Sequence, residues 1–265
     1  KAGGHALPLV VDVRDEAAVQ SSIDATAAKV GGLDIVVNNA AITVQGSIFD
    51  YDPEVFDRVL AVDLGALDRE VLIVDDGSRD GTRAILTELA ADPRIRVFEQ
   101  PFNQGKGAAV WRGMRESTGD YLIVQDADLE YDPMDYVKLL EPIRAGTTKV
   151  VYGSRFLGTR QQMTLANNWG NRGLTLIANL LFGTRLTDME TCYKVFTADI
   201  AARLHLQSPR WGIDPEITAK IIRMGHRIYE LPISYTGRSF EEGKTIRWYH
   251  GFSVILTLLR FRFLP

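Results

Sequence analysis

Asp126 and Asp128 are the residues of this 265-residue chain whose type and spacing best suit chemistry. They follow Tyr121–Val124, four strand-forming residues, so two carboxylates arrive at the carboxyl end of a buried strand. Open α/β sheets bind ligands at that edge. Side chains alternate along an extended segment, so Asp126 and Asp128 project to one side, and hard oxygen ligands so placed suit a divalent cation that also holds a diphosphate. Solvated loop aspartates share the same spacing. Asp50-Tyr51-Asp52 has it too, but follows no apolar run and leads into Pro53-Glu54, a helix start. A metal site is therefore expected at 126/128 and not at 50/52.

Two further turns stand beside this one. Asp75-Asp76-Gly77-Ser78 follows the strand run Val71–Val74 and reads as an Asp-Gly turn at the end of a strand. Gly105-Lys106-Gly107 lacks the upstream glycine and the following Ser/Thr of a nucleoside-triphosphate P-loop. The four histidines, His5, His205, His226 and His250, are too scattered for a zinc site.

Strands and helices must position these groups. After Arg69, strand runs at 71–74, 95–100 and 121–124 alternate with helical patterns at 83–91 and 108–117, which implies a mainly parallel sheet covered on both faces. Earlier in the chain, runs at 7–13 and 33–39 flank a helical pattern at 17–30, a β-α-β unit. Composition is that of a folded soluble protein, 46% hydrophobic and 24% charged. The net charge of −4 argues against nucleic acid as a partner. The single cysteine, Cys192, excludes an internal disulfide. The tail from 238 to 265 carries five Arg/Lys against two Glu, and its end, Gly251–Leu264, reads as an amphipathic helix lying in a headgroup region or packed in the core. Leu174–Phe182 is a second apolar helix.

Residues 1–64, in AGGHALPLVVDVRDEAAV, GGLDIVVNNAA and FDRVLAVDL, resemble the middle of a short-chain dehydrogenase. The glycine-rich phosphate loop and the Tyr-x-x-x-Lys pair of that family are absent, so hydride chemistry is not expected. The ordered segments VDDGSRDGT, NQGKGAA, GDYLIVQDADLEYDP, VVYGSRF, DMETCYKVF, GIDPEITAK and GRSFEEGKTIRW resemble a family-2 glycosyltransferase, most of all the bacterial relatives of dolichyl-phosphate mannose and glucose synthases, across about residues 58–265.

That resemblance implies a type-A nucleotide-sugar fold: an α/β, Rossmann-like, mainly parallel sheet with a C-terminal amphipathic helix. It implies inverting transfer from a nucleotide-diphosphate sugar to a polyprenyl (dolichyl or undecaprenyl) phosphate, assisted by Mg²⁺ or Mn²⁺ on Asp126 and Asp128. Asp75, Asp76, Lys106, Gln125, Asp126, Asp128 and Glu190 would bind the nucleotide sugar, with helix capping as the plainer role for Glu190. Arg155 and Arg172 would meet the acceptor phosphate, and Arg238 and Lys244 would close over the diphosphate. Asp128, Arg155, Arg238 and Lys244 form the catalytic set. The family's opening strand, ending in Pro-x-Tyr-Asn-Glu, is missing, and the dehydrogenase-like fragment, 1–64, takes its place before a transferase domain over 65–265. Leu33–Asn39 is the expected substitute strand, with a crossover helix from Pro53 to about Val62 and Asn38-Asn39 standing where Tyr-Asn-Glu belongs. Such a recombinant or fused chain is expected to be weakened or inactive, binding nucleotide only. The expected location is cytoplasmic, peripheral on the inner face of the membrane.

Overall fold

The computed structural model describes residues 32–38, 59, 61, 62, 68–128, 130–237 and 250–264. The strand runs at 7–13 and 39, the helical pattern at 17–30, and most of the crossover helix lie outside them, although Val59 and Ala61 are helical. A seven-stranded sheet forms the centre. Its strands are β1 (Gly32–Asn38), β2 (Asp68–Asp75), β3 (Ile95–Glu99), β4 (Tyr121–Asp126), β5 (Val150–Ser154), β7 (Lys194–Thr197) and β8 (Tyr229–Pro232), in the order β3-β2-β1-β4-β7-β5-β8. A two-stranded sheet pairs β6 (Arg160–Gln161) with β9 (Tyr235–Thr236).

All pairs among β3, β2, β1 and β4 are parallel, as the alternating strand and helix patterns require. β7 runs antiparallel between β4 and β5. The reason for the long apolar runs is then plain: Val71–Val74 and Leu122–Val124 are buried, because each strand has neighbours on both sides and helices on its faces. β1 takes the central position between β2 and β4, with Val36 opposite Leu72 on one side and Val124 on the other.

The helices follow local signals. α1 (Thr82–Leu89) opens after Asp80, whose Oδ1 accepts from the Thr82 N–H at 3.0 Å. α2 (Lys106–Glu116) starts at Gly105, where φ is +100°, a backbone region that side chains avoid. A Cβ at Gly107 would meet the Ser208 carbonyl oxygen at 2.0 Å, so the turn can lie on the 208–209 loop only with glycine there. α3 (Tyr136–Arg144) follows a short 3₁₀ turn capped by Asp132. α4 (Leu165–Phe182) is capped by the Thr164 side chain and stopped by Gly183 at φ +67°. α5 (Ala198–Leu204), α6 (Ile213–Arg223) and α7 (His250–Phe263) complete the chain. α7 buries Val254 and Leu258 in a small cluster with Ala178 of α4 and Met189.

One direction of travel places the site. The parallel strands β1, β2, β4 and β5 all end at the same edge, and antiparallel β7 begins there. Asp75, Asn38, Asp126, Ser154 and Lys194 are thereby brought to one rim. Replacing Val36 by proline tests β1's place, because a ring there removes a ladder donor between two paired neighbours. Val36→Pro should cost roughly 3 kcal/mol or more, read as a lowered urea midpoint. An unchanged midpoint would mean that β1 does not pair on both sides.

Candidate active site

Asp126, the last residue of β4, is held by Lys106 at the head of α2: the ammonium lies 2.8 Å from Asp126 Oδ2. Asp126 Oδ1 is buried and has no hydrogen-bond partner. Asp128 is half-buried, and its Oδ1 accepts from the Glu130 N–H at 3.1 Å, the local turn that sets its direction. A buried carboxylate oxygen without a partner is costly, and a hard cation or a ligand donor satisfies it. Two carboxylates on one strand end therefore suit Mg²⁺ or Mn²⁺. Among the described residues no group of three or more His, Cys, Asp or Glu side chains could hold a metal.

Behind Asp126 lies a chain of buried charges. Lys106 also faces Asp214 Oδ2 at 3.9 Å, and Asp214 Oδ1 accepts from Lys194 Nζ at 2.6 Å. Lys194 has no exposed surface and also donates to the Thr191 carbonyl, with its ammonium 5.0 Å from the centre of the Tyr152 ring. Burial opposes the charge on Lys106, yet Asp126 and Asp214 outweigh it and hold its pKa well above the ordinary lysine value. Asp214 behaves likewise: burial pushes its carboxyl up, and Lys194 and Lys106 bring it below the usual range.

Arg155 sits at the same edge, just beyond β5, and is buried. Its Nε and Nη2 donate to the two oxygens of Asp188 at 2.7 and 2.8 Å, and the Arg155 N–H donates to Asp188 at 3.0 Å. The two-pronged side of the guanidinium is thus spent within the protein. Glu230 of β8 accepts from the Thr187 and Asp188 N–H groups, fixing the loop that delivers Asp188. Glu190, two residues on, has a buried, unpartnered Oε1. Burial pushes its carboxyl up to about 8, with Asp214 adding to the shift and Lys194 and Arg155 opposing it.

The remaining expected site residues are satisfied by the fold. Asp75 accepts from Ser78 N–H and Oγ and from Arg83 Nε. Asp76 accepts from the Gln104 and Gly105 N–H groups at 2.7 and 2.6 Å and so fixes the turn that launches Lys106. Burial raises the Asp76 pKa against the pull of those two N–H groups. Gln125 is fully buried, with Oε1 accepting from Tyr136 and Tyr193 at 2.6 and 2.7 Å. Arg172 is exposed on α4, with its guanidinium 4.8 Å from the Phe156 ring centre. Arg238 and Lys244 lie outside the described residues. Asp214, Lys194 and Glu230 were not expected. The available signals were a lysine inside an apolar strand run, CYKVF, and two acids in the first turn of GIDPEITAK.

This geometry, a mostly parallel sheet with an antiparallel strand inserted and carboxylates at its carboxyl edge, is that of the type-A glycosyltransferases. Solved structures of glucosyl-3-phosphoglycerate synthase from Mycobacterium tuberculosis share the fold: one, with Mn²⁺, UDP and glucosyl-3-phosphoglycerate, aligns at TM-score 0.62 and 19% identity over 89% of this chain and 81% of that one. The family model for glycosyl transferase family 2 matches residues 50–204, and the chain belongs to that family. A second model, described as enoyl-(acyl carrier protein) reductase, matches residues 1–69. The chain is 32% identical over 184 residues to an undecaprenyl-phosphate mannosyltransferase of Micrococcus luteus, covering 66% of this chain and 75% of that protein. It is 31% identical to glycosyltransferase AglJ of Haloferax volcanii over 76% of this chain and 61% of that protein. With dolichyl-phosphate beta-glucosyltransferase ALG5A of Trichomonas vaginalis it shares 31% identity, over 63% of this chain and 54% of that protein. The chain thus spans little more than half the length of these last two relatives.

Glu190 gives the site a pH signature. Below about 4.5, its ordinary value, folded and unfolded chains both keep the proton; between there and about 8 only the folded chain keeps it. Stability from this group is therefore full at low pH and is lost as pH rises to about 8, with a slope approaching roughly 1.4 kcal/mol per pH unit. Glu190→Gln, neutral throughout, should flatten the decline in urea midpoints between pH 5 and 8. Parallel declines in the two proteins would contradict this reading of Glu190.

Proposed function

We propose that this protein transfers a sugar, with inversion, from a nucleotide-diphosphate donor to a polyprenyl phosphate such as a dolichyl or undecaprenyl phosphate. The observation that carries the reading is Asp126: a carboxylate at the carboxyl end of a central strand, one oxygen on Lys106 and the other buried without a partner. Asp126 and Asp128 hold Mg²⁺ or Mn²⁺, whose chemistry when bound is to neutralise charge on the departing nucleoside diphosphate. Lys106 adds a second positive charge on the same side. Asp75, Asp76 and Gln125 serve the nucleotide through the turns and strand end they hold, and Glu190, protonated near neutral pH, offers a hydrogen-bond donor to the sugar. Arg155, through the part of its guanidinium that Asp188 does not take, and Arg172 serve the acceptor phosphate, and Arg238 and Lys244 serve the donor diphosphate.

A phosphate monoester with a second pKa of about 6 is mostly a dianion at neutral pH, so it needs no strong base. That agrees with a site built of cations and carboxylates without histidine. Positioning and charge stabilisation then supply the rate. Residues 1–64 are a dehydrogenase-like fragment whose β1 completes the sheet of a transferase domain over 65–265. Asn38 pairs with Asp126 across the strands, and an amide there brings no ring to stack on the base and no charge. Donor binding is weaker for it; in the limit the protein binds nucleotide without turnover.

A membrane surface is the second partner. Leu165, Trp169, Leu176 and Leu180 of α4 and Phe252, Leu256 and Phe263 of α7 are exposed, and no helix among the described residues is long and apolar enough to cross a membrane. The two helices pack together and carry Arg172, Arg260 and Arg262, a composition suited to the headgroup region. The protein acts from the cytoplasmic side, peripheral on the inner face.

Incubation with nucleotide sugars, polyprenyl phosphate and Mn²⁺ should give a sugar–lipid product that Asp128→Ala reduces at least about a hundredfold. Product formation undiminished in that variant would refute the role given to Asp128. Leu180→Ser, Leu256→Ser and Phe263→Ser combined should release the protein from sedimenting liposomes with an unchanged melting temperature, because all three side chains are exposed. Retained sedimentation would remove the membrane from the proposal.

A further inference from the structure

Asp214 stands between the two buried lysines of the site. Its Oδ1 takes Lys194 at 2.6 Å, and its Oδ2 lies 3.9 Å from Lys106, which is hydrogen-bonded to Asp126. The Lys106 side chain is only 10% exposed, so its ammonium has few places to go. On Asp126 it holds Oδ2 of the carboxylate whose other oxygen, Oδ1, is left for a divalent cation. A lysine and a divalent cation on one carboxylate repel each other, and the repulsion falls when the lysine can move toward a second anion. Asp214 is that anion.

We propose that Asp214 is a positioning residue that takes up Lys106 when a divalent cation and a nucleoside diphosphate occupy Asp126, leaving the lysine charge beside the diphosphate. This rests on the glycosyltransferase reading and deepens it. Three features of the fold support the assignment. Lys194 holds one oxygen of Asp214 and fixes the direction of the other. α6 holds Asp214 in its first turn. From that turn Glu216, with no exposed surface, accepts from the Gln207 and Ser208 N–H groups at 2.8 and 2.6 Å. The loop so anchored is the one on which the Lys106 turn rests: the Ala108 N–H donates to the Pro209 carbonyl at 3.1 Å. The distance between Asp214 and Lys106 is therefore set by two separate attachments of one helix turn.

The test is a double-mutant cycle read by calorimetric titration of Mn²⁺, alone and with UDP or GDP, on the whole chain. Lys106→Met should raise affinity for Mn²⁺ alone, since Asp126 loses its competing cation, and lower affinity for the nucleoside diphosphate. Asp214→Asn should weaken Mn²⁺ binding about tenfold when Lys106 is present and change it less than about twofold in the Lys106→Met background. Equal weakening in both backgrounds overturns the proposal, because Asp214 would then act without the lysine. To guard against a folding defect from an unpaired Lys194, the cycle is also run with Lys194→Met in all four proteins, and the same background dependence is expected. A parent chain that binds neither UDP nor GDP in Mn²⁺ overturns the glycosyltransferase reading and the proposal together; parent binding with a background-independent effect overturns the proposal alone.

Discussion

A lysine with no exposed surface is tolerated only where its charge is met, and the arrangement of this site follows from how Lys194 is met. Its counter-ion, Asp214, comes from another element twenty residues later, so β7 and the first turn of α6 cannot slide past each other without stranding a charge. Breaking such a buried pair typically costs about 3–5 kcal/mol. Because Asp214 also faces Lys106, and Lys106 holds Asp126, the constraint passes from the core to the strand end in alternating signs. The network is thus a ruler between helix and strand as well as a source of field at the site.

The centre of the sheet shows how differently fold and chemistry constrain a sequence. β1 comes from the stretch that matches a reductase family model, and it pairs in parallel with β2 over Gly32–Val37 and with β4 over Asp34–Asn38. A strand between two others needs extended backbone, apolar residues and compatible length, and GLDIVVN supplies them. Its last residue, Asn38, stands opposite Asp126 at the carboxyl edge, where identity counts for more than pattern. Sheet pairing constrains residues 32–37 by pattern, whereas the rim constrains a single position by identity.

Much of this was legible before any coordinates. The apolar run into Asp126 and Asp128 marks both a strand and its end, and each strand after residue 68 among β2, β3 and β4 falls where period and turn residues place it. The Asp75-Asp76-Gly77-Ser78 turn was legible in part: its residues mark a turn, which Asp75 closes on Ser78, but nothing in them shows that Asp76 reaches across to the Gln104 and Gly105 N–H groups. The pairs Arg155–Asp188 and Lys194–Asp214 were not legible, since partners 33 and 20 residues apart leave no periodic mark in the sequence. The oddity of a charge inside CYKVF hinted that a counter-ion must exist, and two acids opening GIDPEITAK offered one.

The apolar helices are tied into the same frame. Asn179, on α4, accepts from the Leu186 N–H and donates to the Leu186 carbonyl, both at 2.8 Å, and Thr175 accepts from the Met189 N–H at 3.1 Å. α7 joins from the other side, with Arg262 donating to the Leu181 carbonyl at 2.7 Å. The segment that these bonds hold, 186–189, carries Asp188 to Arg155 and leads directly to Glu190. A helix whose outer face is apolar is therefore fastened, through two polar side chains on its inner face, to the loop that delivers the buried ion pair. Displacing α4 must strain either these hydrogen bonds or the Arg155–Asp188 fork, and the fork is the costlier to break because it is buried and charged. Whatever covers the outer face of α4 and α7 thus bears on the geometry of the carboxyl edge without touching it.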